Sequence, residues 1–440
     1  MRIARLNRTL IAAGLALLVA AGALGAWLYP RSRPAIATQQ LAQAASQRPV
    51  DQTDQAIWEY QQRVRENPSD VQSYAVLGSA YVQKARETGD PSYYAKAQAA
   101  IDEALRVGPD NVEALIGAGT LANARHQFQE ALQLGERARA ANPSVPRVYG
   151  VIADAQTELG MYDDAIATLQ TMVDMRPDLS SYSRVSYARE LHGDLDGAIE
   201  AMRMAVDAGG PTTENSAWTR VQLGNLYFAK GDLAQAEQEY QATLVQLPNY
   251  VYGQAGLARV RAAQGRADEA IDLYRQAIAR MPLPEFVIAL GELQQATGRA
   301  AEAAKQYDLV RAMQQLFKVN GVDTDLELAL FDADHGGDPA ATVALARAAH
   351  ARRPSVKAAD TLAWALYKAG DAAEARRYAD EALRLGTQDA LMLYHAGTIA
   401  QAQGDSAAAR ELLGRALALN PNFSPLYAPQ ARQALGAGGQ

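Results

Sequence analysis

At 440 residues the chain is longer than an ordinary domain of about 100 to 200 residues, and with 49% hydrophobic and 21% charged residues it is not mainly disordered. Formal net charge is −7, but residues 1–37 hold five arginines and no acid, which leaves 37 Lys+Arg against 49 Asp+Glu, a net of −12, for the rest. That acidic body lacks the basic stripe that displaces phosphate counterions, so no nucleic acid is expected as partner. The absence of cysteine excludes disulfides, a thiolate nucleophile, a Cys-based zinc site and acylation at cysteine.

Residues 1–8 form a basic tip with Arg2, Arg5 and Arg8, and residues 9–30 are an uncharged run that includes Leu10, Ile11, Leu15, Leu17, Leu18, Val19, Leu24, Trp27 and Leu28. A transmembrane helix needs about 20 apolar residues, whereas the apolar part of a secretory leader is about 7 to 15. The run therefore predicts a single transmembrane anchor. Trp27 and Tyr29 suit the far headgroup zone, and the near-side positive charge outnumbers Arg31 and Arg33. The N-terminus is then expected in the cytoplasm and the remaining chain outside it, periplasmic in a bacterial-type envelope. Ala35-Ile36-Ala37 has the small-x-small form of a cleavage site, so export after cleavage near Ala37 is the alternative. Residues 31–50, with Pro30 just before them and Pro34 and Pro49 within, are expected to be a linker.

From there on a period dominates. Gly160, Gly193, Gly231, Gly265, Gly298, Gly337, Gly370 and Gly404 each precede a short polar or small pair and an alanine-rich amphipathic run, at spacings of 33, 38, 34, 33, 39, 33 and 34. Pro109, Pro143 and Pro177 are 34 apart, as are Pro248 and Pro282, and Pro354 and Pro421 continue the punctuation. The implied unit is helix, glycine turn, helix, proline-marked turn. Residues 217–250 carry Leu223-Gly224 and Tyr227 in the first helix and Ala236, Tyr240 and Pro248 in the second. Residues 146–177 repeat the scheme with Gly160, Tyr162, Ala165, Leu169 and Pro177, and residues 390–421 with Gly397, Gly404, Ala409, Leu413, Ala416 and Pro421. With this length and these residues the chain resembles the tetratricopeptide-repeat family. The resemblance implies an all-α, right-handed superhelical solenoid of about ten helix-turn-helix repeats.

The expected divisions follow. Residues 51–70, where Ala56, Tyr60 and Pro68 fit only a second helix, form an N-terminal capping half-repeat. Residues 71–312 hold repeats 1–7, the first of them overlong around Glu87 to Tyr94. Residues 313–322 are an extended helix or junction, 323–421 hold repeats 8–10, and 422–440 are a capping helix and tail.

No catalytic constellation stands out. The histidines at 126, 192, 335, 350 and 395 fall at unrelated positions in the repeat without a metal-binding spacing, so no metal or cofactor is expected. The acidic stretch beginning at Asp323 puts Leu328 and Asp334 where a calcium loop needs Gly and Glu, which favours a solvated helix start. Gly117 and Gly119 suit helix packing, because no strand-turn-helix context surrounds them.

The resemblance further implies that the first helix of each repeat lines a concave groove through its second, fifth, ninth and twelfth to thirteenth positions. Mapped here, these are Arg184, Tyr187, Trp218, Asn225, Phe228, Tyr252 and Arg259 in the middle repeats. In the later repeats they are Phe331, Lys357, Asp360, Trp364, Tyr367, Lys368, Tyr394 and His395. Aromatic residues and arginine dominate interface energetics, so a peptide or protein segment is the expected ligand. For Trp364 and Tyr367 a slip of one residue in register turns the side chain from groove to core, and both placements stay open. A clamp for a terminal carboxylate is not indicated, since Asn225 fits a ninth position but Val221 holds the fifth. The reading that follows is a non-catalytic interaction scaffold in envelope assembly or maturation. A self-associating structural or accessory subunit is the second reading, and an unrecognised enzyme the third.

Overall fold

The structure, a computed structural model, describes residues 52–210 and 213–437. Contacts divide the chain after Gln55, and the account below concerns the unit that begins at Ala56. The anchor, linker and cleavage motif expected in residues 1–50 lie outside the described residues. Among the described residues no helix is long and apolar enough to cross a membrane.

The described residues form 22 α-helices and no strand. A single helix, α1 (Gln52–Glu66), precedes a series of ten helical hairpins. The first five are α2 (Val71–Thr88) with α3 (Ser92–Val107), α4 (Val112–Ala124) with α5 (Phe128–Ala141), α6 (Pro146–Glu158) with α7 (Tyr162–Met175), α8 (Leu179–Leu191) with α9 (Leu195–Asp207), and α10 (Glu214–Ala229) with α11 (Leu233–Gln246). The next five are α12 (Val251–Ala263) with α13 (Ala267–Arg280), α14 (Pro284–Ala296) with α15 (Ala300–Val319), α16 (Asp325–His335) with α17 (Pro339–Arg352), α18 (Val356–Lys368) with α19 (Ala372–Ala382), and α20 (Ala390–Ala402) with α21 (Ser406–Leu419). Helix α22 (Tyr427–Ala437) follows them.

Local chemistry sets each hairpin. Gly193, Gly231, Gly370 and Gly404 have φ of +77°, +80°, +91° and +78°, a conformation that costs other residues a clash at Cβ. Each is followed by an aspartate whose Oδ1 accepts the backbone N–H three residues on, at 2.9 Å for Asp194, 3.1 Å for Asp232, 2.9 Å for Asp371 and 3.1 Å for Asp405. The turn ends one helix and the cap starts the next. The turns at Gly160, Gly265 and Gly298 keep the positive φ but are followed by Met161, Arg266 and Arg299, which make no side-chain cap, and two further turns depart in the left-handed residue itself. In the second hairpin His126 holds the left-handed position with φ 60°, and in the eighth it is Gly336 rather than Gly337 that does so.

Packing between helices rests on small side chains. The second helices bury pairs of alanines seven residues apart on one face, Ala97 with Ala104, Ala131 with Ala138, Ala198 with Ala205 and Ala270 with Ala277. Large side chains fill the space between hairpins: fully buried Tyr240 is wedged against Gly224 and Gly256, where an added Cβ would lie 2.6 and 2.4 Å from its ring. Gly119 is likewise a packing residue, as a Cβ there would stand 2.5 Å from Val151. At the ends of the series, Ile57, Tyr60 and Val64 of α1 cover the first hairpin's core, and Tyr427 and Ala431 of α22 join a core with Trp364 and Tyr394.

The series also coils back on itself. The Val356 N–H donates to Tyr162 Oη (2.8 Å), Thr387 Oγ1 donates to the Leu191 carbonyl (2.5 Å), Gln388 Nε2 to Gly193 O (2.7 Å) and Asn420 Nδ2 to Phe228 O (2.7 Å). These partners are 194, 196, 195 and 192 positions apart. In the same register the Asp323 N–H donates to Arg125 O at 2.9 Å, and His126 Nδ1 lies 2.8 Å from Asp323 O. Turns inside hairpins two to five thus sit on the joints that begin or follow hairpins eight to ten.

Candidate functional site

Where the coils touch, their inner face forms an open cavity of about 710 Å³. Its walls come mostly from first helices: Ala153, Asp154, Thr157 and Glu158 of α6, Ser180, Ser183, Arg184 and Tyr187 of α8, and Asn215 and Trp218 of α10. From the next coil Leu326 and Glu327 of α16, Arg353 and Lys357 close the opposite side.

Arg184 forms a bidentate pair with Asp154, Nε to Oδ1 at 2.8 Å and Nη2 to Oδ2 at 2.7 Å, and its Nη1 donates to the Ser180 carbonyl at 3.0 Å. Gly150 makes room for this guanidinium, which lies 3.3 Å from where its Cβ would stand. Lys357 Nζ stands 4.9 Å over the Tyr187 ring, with no carboxylate within 4.0 Å among the described residues. The Tyr187 phenol, with Glu158 and Glu190 behind it, pushes the Lys357 pKa up against the opposing effect of burial. Burial raises Glu190. The cavity therefore offers a charged ammonium, two aromatic faces and a fixed ion pair. Such a wall suits an extended segment with an acidic or polar group and an apolar side chain.

Of the fifteen residues mapped from sequence, the structure brings Arg184, Tyr187, Trp218 and Lys357 together in this cavity. Asn225, Phe228 and Arg259 form a second group: Tyr240 Oη donates to Asn225 Oδ1 (2.8 Å), Arg259 Nη2 donates to both Tyr240 Oη (2.9 Å) and Asn225 Oδ1 (2.6 Å), and the guanidinium lies 4.3 Å over Phe228. Tyr252 packs edge-on against Phe286, 5.6 Å between centroids.

The later residues are largely covered. Phe331 and Tyr394 are buried, Trp364 is 2% exposed and His395 fully buried. Trp364 stacks on His395 at 4.1 Å, and its Nε1 donates to Asp334 Oδ1 at 2.7 Å. His395 Nδ1 lies 3.0 Å from Asp360 Oδ2. Helix α22 covers this region, with Tyr427 stacked on Tyr394 at 4.9 Å and Gln430 accepting from Tyr394 Oη at 2.9 Å. Tyr367 and Lys368 stay at the rim, the ring at 5.1 Å from Trp364 and the Lys368 ammonium 5.1 Å over it.

Asp154 and Glu158 were missed from the sequence, although the mapping applied to the repeat beginning at residue 146 puts them at its ninth and thirteenth positions. Arg353 carried no such signal, because it reaches the cavity only through the contact between coils. Asp323 and Asp325 hold Arg352, with its Nε 3.0 Å from Asp323 Oδ2 and its Nη2 2.7 Å from Asp325 Oδ2.

The comparisons with known proteins agree with this architecture. Two models described as tetratricopeptide repeat match, one over residues 122–188 and the other over 92–146, 221–284, 256–316 and 361–422, together more than half of the chain. The cellulose synthase operon protein C of Pseudomonas fluorescens (strain SBW25) is 29% identical over 36% of this chain, and the cellulose synthase 1 operon protein C of Komagataeibacter xylinus is 27% identical over 44%. The chain spans only 13% and 14% of the length of these relatives. Among solved structures, the human IFIT1 dimer with PPP-AAAA matches at 16% identity and a TM-score of 0.47, covering 72% of this chain and 73% of that one. A chain of the APC/C hetero-tetramer Cut9-Hcn1 matches at 17% identity and a TM-score of 0.38, covering 87% of this chain and 81% of that one. With its helical hairpins, glycine turns and matching repeat models, the chain belongs to the tetratricopeptide-repeat family.

Proposed function

We propose that this protein is a non-catalytic scaffold that binds an extended peptide or protein segment in the cavity between its coils. It is held by residues 9–30 in a membrane, with the repeats on the extracytoplasmic side, and serves envelope assembly or maturation. The observation that carries the binding reading is the convergence of Tyr187, Trp218 and Lys357, from three separate repeats, on one cavity of about 710 Å³. Such anchors exceed what packing needs, because Lys357 would be hydrated at no loss on an outer face. The anchor reading is supported by the uncharged run itself.

Photo-crosslinkers at Tyr187 and Trp218, compared with one at Val245 on the exposed side of α11, test the binding reading in cells that express the full chain. Peptide partners captured from inside the cavity and not at Val245 support it. Equal capture at all three sites, or none at any, refutes it. Carbonate extraction of the same cells tests the anchor, since an integral protein stays with the membrane.

A further inference from the structure

We propose that Glu292, Asp334 and His335 form a binding site for a first-row divalent cation of the zinc class, beyond the peptide-binding reading and independent of it. Their ligand atoms, one from α14 and two from the C-terminal end of α16, all lie within 4.8 Å of one another, and His335 Nε2 is 3.5 Å from Glu292 Oε1. Donors bound tetrahedrally at about 2.1 Å stand roughly 3.4 Å apart, so the His335–Glu292 pair already has a ligating separation.

Three further observations point to a cation. First, the His335 side chain is 2% exposed, yet neither ring nitrogen makes a hydrogen bond among the described residues, and Nε2 faces the Glu292 carboxylate. Second, Glu292 and Asp334 have no Lys or Arg within 4.0 Å among the described residues, which leaves two half-buried negative charges side by side. Elsewhere in the chain, paired acids such as Asp323 and Asp325 do carry an arginine. Third, the geometry is fixed from behind. The His335 ring is stacked on Tyr307 at 4.1 Å and lies 4.9 Å from Phe331, while Asp334 Oδ1 accepts from Trp364 Nε1 (2.7 Å) and from Tyr427 Oη, which fixes the carboxylate. Outer partners that orient ligands in this way are typical of metal sites.

One imidazole and two carboxylates are a borderline-to-hard set that suits zinc and its neighbours better than calcium, which prefers six or more oxygens. Glu292 and Asp334 also line a cavity of about 270 Å³ beside Arg259 and Arg432, so a fourth position is open to water or to an anionic group. As a packing residue alone, His335 would not need at its edge two carboxylates that lack a Lys or Arg partner among the described residues.

The test is a zinc titration by calorimetry of the full-length protein, stripped with a chelator and freed of it, with no peptide present. The wild type is expected to bind one equivalent with a Kd below about 100 μM. His335→Gln and Glu292→Gln are each expected to weaken binding about tenfold or more, while His192→Gln leaves it unchanged. X-ray absorption of the loaded protein should show one nitrogen-type imidazole donor with oxygens. Circular dichroism checks that each variant is folded, and Glu292→Gln carries the test if His335→Gln is not. Absence of binding in the wild type, or binding unchanged in the folded variants, overturns the proposal. Either result leaves the peptide reading untouched.

Discussion

Buried Tyr240 shows how much one residue demands of its neighbours. Its ring fills the space left by two glycines from successive repeats, and its hydroxyl joins Asn225 to Arg259. Gly256→Ala would put a methyl 2.4 Å from that ring, and neither helix can retreat without breaking other contacts. We expect a loss of about 1 to 3 kcal/mol in denaturant unfolding. His395 makes a second prediction at this scale. Burial alone would depress its pKa, but the Asp360 carboxylate more than offsets this and holds the imidazolium above its ordinary value of 6.5. A folded pKa above the unfolded one gives stabilisation that is complete below 6.5 and is lost as pH rises through the folded value. The stability of the wild type against urea should therefore fall as pH is raised above 6.5. Asp360→Asn should flatten that dependence and lower stability most on the acidic side, and an unchanged pH profile in this variant would remove the pair from the account.

At the scale of the element, the hairpin is specified by short local signals and by the size of side chains between helices. Asp232 caps α11 through the Gln235 N–H at 3.1 Å, so Asp232→Ala should lower stability by about 1 kcal/mol. Ala165, 3% exposed on α7, meets neighbours that leave no room for growth. Ala165→Trp should cost about 1 to 3 kcal/mol or more, whereas Arg147→Ala removes only an exposed pair with Glu113 and should change stability by under about 0.5 kcal/mol. Equal melting temperatures for these two variants would mean that the helix faces are misassigned. The turn glycines, the aspartates that follow four of them, and the paired alanines of the second helices were visible in the sequence because their partners lie within a few residues or one repeat. The left-handed residue at Gly336 rather than Gly337 was not, since two adjacent glycines give the same local signal.

For the whole molecule the contact between coils is the governing feature. Repeat arrays are ordinarily quasi-one-dimensional, each unit touching only its neighbours. Here Gly160 and Gly193 face the carbonyls of Pro354 and Gly386, so that hairpins three and four are tied to joints almost six repeats away. Gly193→Ala and Gly298→Ala separate this contact from backbone strain. Both glycines have positive φ, but a Cβ at Gly193 would stand 2.3 Å from Gly386 O, while one at Gly298 meets nothing within 4 Å. Gly298→Ala should cost about 1 kcal/mol and leave the scattering radius of gyration unchanged. Gly193→Ala should cost more and enlarge that radius as the coils part. If both variants scatter like the wild type, the contact between coils is not what holds the cavity together.

The sequence by itself determined the helical class, the period and the family, because a 34-residue repeat writes its turns, caps and small packing residues into every unit. It also identified the residue types that face inward, as Arg184, Tyr187, Trp218 and Lys357 show. Only the tertiary structure decided which of them share a cavity. Lys357 reaches Tyr187 through the stacking of one coil on another, and Trp364 and Tyr394 are covered because α22 folds over them. The grouping of Glu292 with Asp334 and His335 arises in the same way, from two helices joined only by packing. The physical reason is that superhelical closure sums small rotations between many repeats, and no single repeat records that sum in its residues.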